Sequence, residues 1–194
     1  MNFKYLSSVF IAAACLLLGS CEKTDFLEIR PENNTLTDDA IKTPEDLQKL
    51  MISAYNQIRS AGFWGGTSLI AGDVMADDAV TTNSTFDWSQ IVGHSQDLFN
   101  PPGRNTWNNT YSAINRANTA ANSTLADPIL ATASQDMVNG LKADAAYIRS
   151  LGHFHLVRLF GLPYSDQTKN TPGMGIPIRL RGTTSIAESF EALP

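Results

Sequence analysis

Cys21 is the residue whose type and surroundings most clearly indicate covalent chemistry. It follows an apolar stretch, Val9–Leu18, and two small residues. The order Leu18-Gly19-Ser20-Cys21 looks like a bacterial lipobox, in which small residues admit the cleaving protease and the thiol then receives diacylglycerol. The apolar stretch has about ten residues, whereas a membrane-spanning helix needs roughly 20. We therefore predict that residues 1–20 are a signal peptide and that lipid on Cys21 anchors the chain.

A disulfide is the alternative role for Cys21, and the cysteine count argues against it. The second cysteine, Cys15, lies in the apolar segment that is discarded. The chain carries 14 basic and 19 acidic residues and a net charge of −5. Because Lys and Arg make most phosphate contacts, we expect no nucleic-acid binding. A hydrophobic content of 43% with 17% charged residues is typical of an ordered domain.

Clusters of acids and histidines could indicate an enzyme, but their spacing does not support one. Asp73, Asp77 and Asp78 could supply the two carboxylates of a glycosidase, yet solvated or capping acids are far commoner. His153 and His155 are two residues apart on a predicted helix, unlike the i, i+4 pair of zinc enzymes. We expect one histidine to pack and the other to face solvent. With no nucleophile, Walker-type or dinucleotide motif, we predict neither catalysis nor a bound metal or cofactor.

Three long helices should position whatever site the chain holds. Thr43 and Pro44 predict a helix start, with Thr43 as N-cap, after a lipid-anchored tether over residues 21–43. Gly62 is expected to end this helix. A second helix is predicted over residues 105–121 and a third over 134–160, with Gly161 as its stop. The second and third helices should lie antiparallel because a short polar link joins them.

The remaining segments are predicted to be mostly irregular. Residues 63–104 lack periodicity, apart from a short helix near residues 69–79, and Pro101-Pro102-Gly103 is expected to mark their end. Irregular stretches of this length are usually functional. Residues 175–180 predict a short extended segment. Ser185 and Glu188 predict a capping box that opens one more helix.

Residues 141–163 resemble the signature helix of the SusD/RagB-like family, the surface glycan-binding lipoproteins of Bacteroidetes. The matching positions are Ala145, Arg149, Phe154, Leu156, Val157, Phe160, Gly161 and Pro163. Ser150, where the family prefers Ala, and Asp144, placed late relative to the usual Glu, depart from it. Three further segments resemble family motifs in the family's order: Cys21 with residues 25–27, the Trp-x-x-x-Tyr-x-x-Ile helix at 107–118, and Gly-Ile-Pro at 175–177.

This resemblance implies an all-α fold of tetratricopeptide-like helix pairs with long irregular loops. It also implies a place in the outer membrane, facing the cell exterior, where the protein delivers oligosaccharide or polysaccharide to a SusC-like TonB-dependent transporter. Family members are longer than this chain. Residues 44–194 are therefore identified as the N-terminal part of such a domain, without its C-terminal part.

The resemblance also implies a glycan site, in which aromatic faces stack on sugar rings while amides and carboxylates bind hydroxyls. Within residues 63–104 we predict that Trp64, Asn83, Asp87 and Trp88 contact the glycan. The alternative is that these rings pin the segment to the helices. Trp107 and Tyr111 lie on a helical stripe and are predicted to pack rather than bind.

Two other functions stay open at this point. The chain could be a helical-repeat lipoprotein that acts only in protein–protein interaction. It could also be a truncated fragment that binds nothing.

Overall fold

A computed structural model describes residues 40–82, 86–167, 169, 171, 173, 175–184 and 188. All of them belong to one compact unit, Thr37–Pro194. The regular elements among these residues are helices, which confirms the predicted all-α class. They are α1 (Pro44–Ile58), α2 (Thr67–Met75), α3 (Phe86–Val92), α4 (Pro101–Ala121), α5 (Ala126–Leu130) and α6 (Gln135–Phe160). Cys21, Asn83 and Ser185 lie outside the described residues.

Helix α1 begins as predicted and ends differently. The Thr43 hydroxyl accepts a hydrogen bond from the Asp46 backbone N–H, and the Asp46 carboxylate accepts one from Thr43 N–H at 3.1 Å. The helix ends at Arg59, which keeps right-handed geometry, so the prediction that Gly62 ends it is wrong. Gly62 instead lies in a turn against α4, where a Cβ would overlap Asn109 Nδ2 and lie 2.8 Å from the Asn105 carbonyl oxygen.

Helix α4 starts four residues earlier than predicted. Asn100 is its N-cap, with Oδ1 accepting from Gly103 N–H at 3.1 Å, and Pro101 and Pro102 form its first turn. Proline fits that turn because its missing N–H would have no helical partner there. The prediction that this Pro-Pro-Gly sequence closes the irregular segment is therefore wrong. The segment also contains α2, close to the predicted short helix, and α3, which was not predicted.

Helix α6 follows the prediction, with Ser134 as N-cap and Gly161 as its last cap. It packs against α4 with opposite direction, because Trp107 contacts Phe160 while Asn118 contacts Arg149. Helices α1 and α4 are antiparallel for the same reason. Gln57 donates to Asn109 Oδ1 at 3.0 Å, and Arg116 donates to the Ser53 carbonyl oxygen at 3.3 Å.

The core lies where these three helices meet. Leu47, Met51 and Ala54 of α1 face a row of alanines on α4 and the buried face of α6. The buried residues of α6 are Leu141, Ala145, Ile148, Gly152, His155 and Leu156, and helical spacing predicted all of them except His155. A Cβ on Gly152 would lie 2.8 Å from the Ile114 side chain. Because Gly152 has no side chain, α4 and α6 can approach each other closely at this point.

The segment 176–183 has no regular structure and is held by side chains of α4. Three asparagines spaced three and four residues apart, which we name the asparagine row, bind its backbone: Asn115, Asn118 and Asn122. Their Nδ2 atoms donate to the carbonyl oxygens of Thr183 at 3.3 Å, Arg179 at 3.1 Å and Leu180 at 2.9 Å. Tyr111 extends the row by donating to the Pro177 carbonyl oxygen at 2.7 Å. In a β-sheet, a neighbouring strand would donate hydrogen bonds to such carbonyl oxygens. Here side chains from one face of α4 donate them instead.

Asn118 connects the three described segments that carry the family resemblance. Its Oδ1 accepts from Arg149 Nη1 of α6 at 3.1 Å, while its Nδ2 binds the segment 176–183. The side chain is fully buried. One amide therefore ties the α4 motif, the α6 signature helix and the Gly-Ile-Pro segment into a single structural unit.

Within the described part of the chain, no helix is long and apolar enough to cross a membrane.

Candidate functional site

A groove of about 770 Å³ opens where the first turns of α4 lie beside the last turn of α6. Its walls come from α2, from Ile91 of α3, from residues 96–98, from the first turns of α4 and from the last turn of α6. Cavities of this size hold small organic ligands, since typical sites measure roughly 300–1,000 Å³. We name this cavity the end groove.

The buried Asn100 links α3 to the first turn of α4 through hydrogen bonds on one side of the end groove. Besides capping α4, it donates through Nδ2 to the Asp87 carbonyl oxygen at 2.9 Å and to Gln90 Oε1 at 2.8 Å. Gln90 in turn donates to Asp97 Oδ2 at 3.2 Å, and Asp97 Oδ1 accepts from Phe99 N–H at 2.8 Å. Because each of these amides has partners in two segments, residues 96–100 are held in a defined course beside the groove.

Aromatic and polar side chains meet in the end groove. Trp107 packs edge-on against Phe160 with ring centroids 5.2 Å apart, and both rings line the cavity. Gln96, Asp97 and the exposed Arg104 line it too. An aromatic surface beside amide, carboxylate and guanidinium groups can hold the apolar face of a sugar ring and bind its hydroxyls. The arrangement therefore suits the binding of such a ring.

The three predicted glycan contacts that the structure describes do not lie in this groove. Among the predicted residues that the structure describes, Trp64, Asp87 and Trp88 are absent from its lining. Asp87 and Trp88 are half-buried on α3, and Trp64 is 44% exposed in the turn before α2. Asn83 lies outside the described residues. Asp87 and Trp88 were expected on an irregular loop. They lie instead on α3, a helix that the periodicity of the sequence did not indicate.

Trp64 is connected to the groove through α6. Its indole Nε1–H donates to His155 Nδ1 at 3.3 Å. His155 and the groove residue Leu159 are four residues apart and therefore lie on one face of α6. Trp64 thus lies about one helical turn from the groove wall.

Trp107 was predicted to pack only, and it both packs and lines the end groove. Its ring contacts Tyr111 with centroids 4.9 Å apart, as well as Phe160. Sequence reasoning missed its second role because the helical stripe on which Trp107 lies indicated packing alone. Asn100 followed by two prolines is the signal that would have placed it correctly, two turns into the helix.

Both histidines of α6 are engaged, which corrects the expectation that one faces solvent. His155 is 4% exposed and packs on Phe63. His153 is half-buried, and its Nε2 accepts from Arg179 N–H of the segment 176–183 at 3.1 Å. Burial lowers the pKa of each imidazole below its ordinary value. For His155 the charge of Arg158 lowers the pKa further, whereas for His153 a hydrogen bond to the Arg149 backbone opposes the effect of burial and the charge of Arg149 reinforces it. Among the described residues, no cluster of three or more His, Cys, Asp or Glu could hold a metal.

These lowered pKa values predict that the folded state loses stability in mild acid. The unfolded chain protonates its histidines near pH 6.5, whereas the folded chain resists protonation. The free energy of unfolding should therefore be greatest above pH 6.5 and fall below it, by at most about 1.4 kcal/mol per pH unit for each histidine. Urea unfolding between pH 7.5 and 5 measures this.

The matched control is the double variant His153→Gln and His155→Asn, which keeps a hydrogen-bond acceptor at each position but does not titrate. Its stability should change much less over the same pH range. An equal loss in the variant and the wild type would contradict the assignment to these histidines.

Comparisons with known proteins relate this chain to a protein family. A protein-family model described as "Starch-binding associating with outer membrane" matches residues 25–190. A curated relative, "SusD-like protein P2" of Formosa agariphila, is 27% identical over 164 residues, which cover 81% of this chain. The chain spans about 30% of that relative's length. No solved structure matches the chain significantly.

Proposed function

Because the chain belongs to the SusD-like family of starch-binding proteins that associate with the outer membrane, we propose that it captures glycans at the cell surface. In this proposal lipid on Cys21 anchors the protein in the outer membrane, with the helical unit facing the cell exterior. The captured oligosaccharide or polysaccharide passes to a SusC-like TonB-dependent transporter for uptake. The protein binds its ligand and does not cleave it.

The observation that carries this proposal is the end groove in a chain of this family. A cavity of about 770 Å³ that combines two aromatic rings with amide, carboxylate and guanidinium groups has the composition that sugar recognition requires. Trp64, held beside the groove through His155, extends the aromatic surface toward solvent. Asp87 and Trp88 remain proposed contacts of the same ligand, since their helix α3 also contributes Ile91 to the groove. Asn83 remains a proposed contact on its amide chemistry alone.

Affinity gel electrophoresis of the purified chain from Glu22 to Pro194 tests glycan binding. Gels contain soluble starch or other plant, host and microbial polysaccharides. We expect retardation by at least one polymer. Trp64→Ala should weaken it by about tenfold, which corresponds to about 1.4 kcal/mol, because the exposed ring can no longer stack. Arg104→Ala and Trp88→Ala test the groove rim and α3 in the same gels.

Tyr147→Ala is the matched control, because Tyr147 is an exposed aromatic on α6 that lies more than three turns before Phe160. Its loss should leave retardation unchanged. Equal weakening by Trp64→Ala and Tyr147→Ala would contradict a specific site. Absence of retardation in every gel, together with recovery of a protein partner from outer membranes, would favour the helical-repeat interaction protein instead.

A further inference from the structure

The two ring nitrogens of the buried His155 differ in their hydrogen bonding. Its Nδ1 accepts from the Trp64 indole, whereas its buried Nε2 has no hydrogen-bond partner among the residues that the structure describes. A neutral imidazole has one protonated and one acceptor nitrogen, so this bond places the proton on Nε2. A buried N–H without a partner costs free energy that an apolar side chain would avoid. Histidine therefore provides one thing here that an apolar residue could not, which is an acceptor nitrogen for the Trp64 indole N–H.

The backbone of Trp64 is held as firmly as its ring. Trp64 N–H donates to the Ile58 carbonyl oxygen at 2.9 Å, and Gly65 N–H donates to the Ser60 carbonyl oxygen at 2.9 Å. Gly65 has no room for a side chain, since a Cβ would overlap the Arg59 carbonyl oxygen. With the main chain and the indole N–H both bound, the two side-chain torsions of Trp64 have little freedom left. The ring nevertheless remains 44% exposed.

We propose that His155 is a positioning residue, which holds the Trp64 indole by its N–H edge so that the exposed part of the ring is ready to stack on a sugar. This inference rests on the proposed glycan-binding function. A ring oriented before binding loses less side-chain freedom when the ligand arrives, and affinity increases accordingly. Because His155 belongs to the helix that forms one wall of the end groove, the orientation of Trp64 is coupled to that wall.

Two substitutions separate the acceptor from the packing. His155→Asn keeps an acceptor oxygen close to the position of Nδ1, whereas His155→Leu fills similar space without one. The chain has three tryptophans, so the ¹H–¹⁵N spectrum of the purified protein should show three indole signals, and Trp64→Phe identifies the one from Trp64. We expect His155→Leu to shift that signal and to accelerate its hydrogen exchange. His155→Asn should restore both, and the signals of Trp88 and Trp107 should stay in place.

Affinity gels with soluble starch add the functional readout. His155→Leu should bind about threefold to tenfold more weakly than the wild type, and His155→Asn should recover most of the affinity. A Trp64 indole signal unchanged in a folded His155→Leu protein would overturn the inference. Wild-type protein that no polysaccharide retards would instead overturn the proposed function, and the indole signal would still decide whether His155 orients Trp64.

Discussion

Replacing Asn118 with leucine is expected to lower the free energy of unfolding by about 3 kcal/mol. Leucine has similar volume but cannot accept from Arg149 or donate to the carbonyl oxygen of Arg179. The half-buried guanidinium and the backbone carbonyl then lose this partner at positions where water reaches them only in part. Urea unfolding followed by circular dichroism measures the loss.

The same substitution should release the segment 176–183, because Asn118 binds its backbone at the centre of the asparagine row. Arg179 and Arg181 provide tryptic sites within that segment. Limited proteolysis should therefore cut Asn118→Leu faster than the wild type at these positions. Asn122→Ala is the matched control: Asn122 is only half-buried and its amide makes one such bond, at 2.9 Å, so its loss should cost about 1 kcal/mol. Equal costs for the two variants would contradict a central role for Asn118.

The second large effect is expected at Gly62, where alanine should cost about 2–4 kcal/mol. The new Cβ would overlap Asn109 Nδ2 and press on the Asn105 carbonyl oxygen, which belongs to the backbone of α4 and cannot move aside. The turn would separate from α4 and pull on Phe63, which is fully buried next to it. Thermal and urea unfolding both report this change.

Gly140→Ala provides a control of the opposite sign. Gly140 is exposed in α6, and a Cβ there would meet nothing within 4 Å. Alanine should therefore stabilise the protein by about 0.5–1 kcal/mol through helix propensity. If Gly62→Ala were as well tolerated as Gly140→Ala, the close approach of the turn to α4 would be wrong.

Helix starts were predictable where the decisive chemistry is local. Thr43 and Ser134 cap their helices through bonds to residues three positions further along, so a short stretch of sequence contains the whole interaction. The predictions went wrong where one residue type has two structural uses. Gly62 serves close packing rather than helix termination, and Pro101 opens a helix rather than closing a loop.

The candidate site was less predictable because it combines distant segments. Trp64 was selected from its residue type and its segment, but its partner His155 lies 91 residues away. Distance along the chain also explains why one of the two histidines was expected in solvent: the partner of His153, Arg179 N–H, belongs to a segment that helical spacing cannot place. Trp107 was set aside because its stripe indicated packing, and the spacing could not show that a cavity opens beside it.

Ordered motifs, helical periodicity and capping residues act over a few positions, so they were enough to identify the family, the all-α class, the start of α1, the end of α4 and both ends of α6. The sequence also supplied the predictions of a signal peptide and of lipid on Cys21. The side chains that meet depend on the folded structure: the asparagine row binds the segment 176–183, Trp64 binds His155, and α2, α3, α4 and α6 together form the end groove. These contacts join residues far apart in the chain, and their geometry depends on how the helices pack.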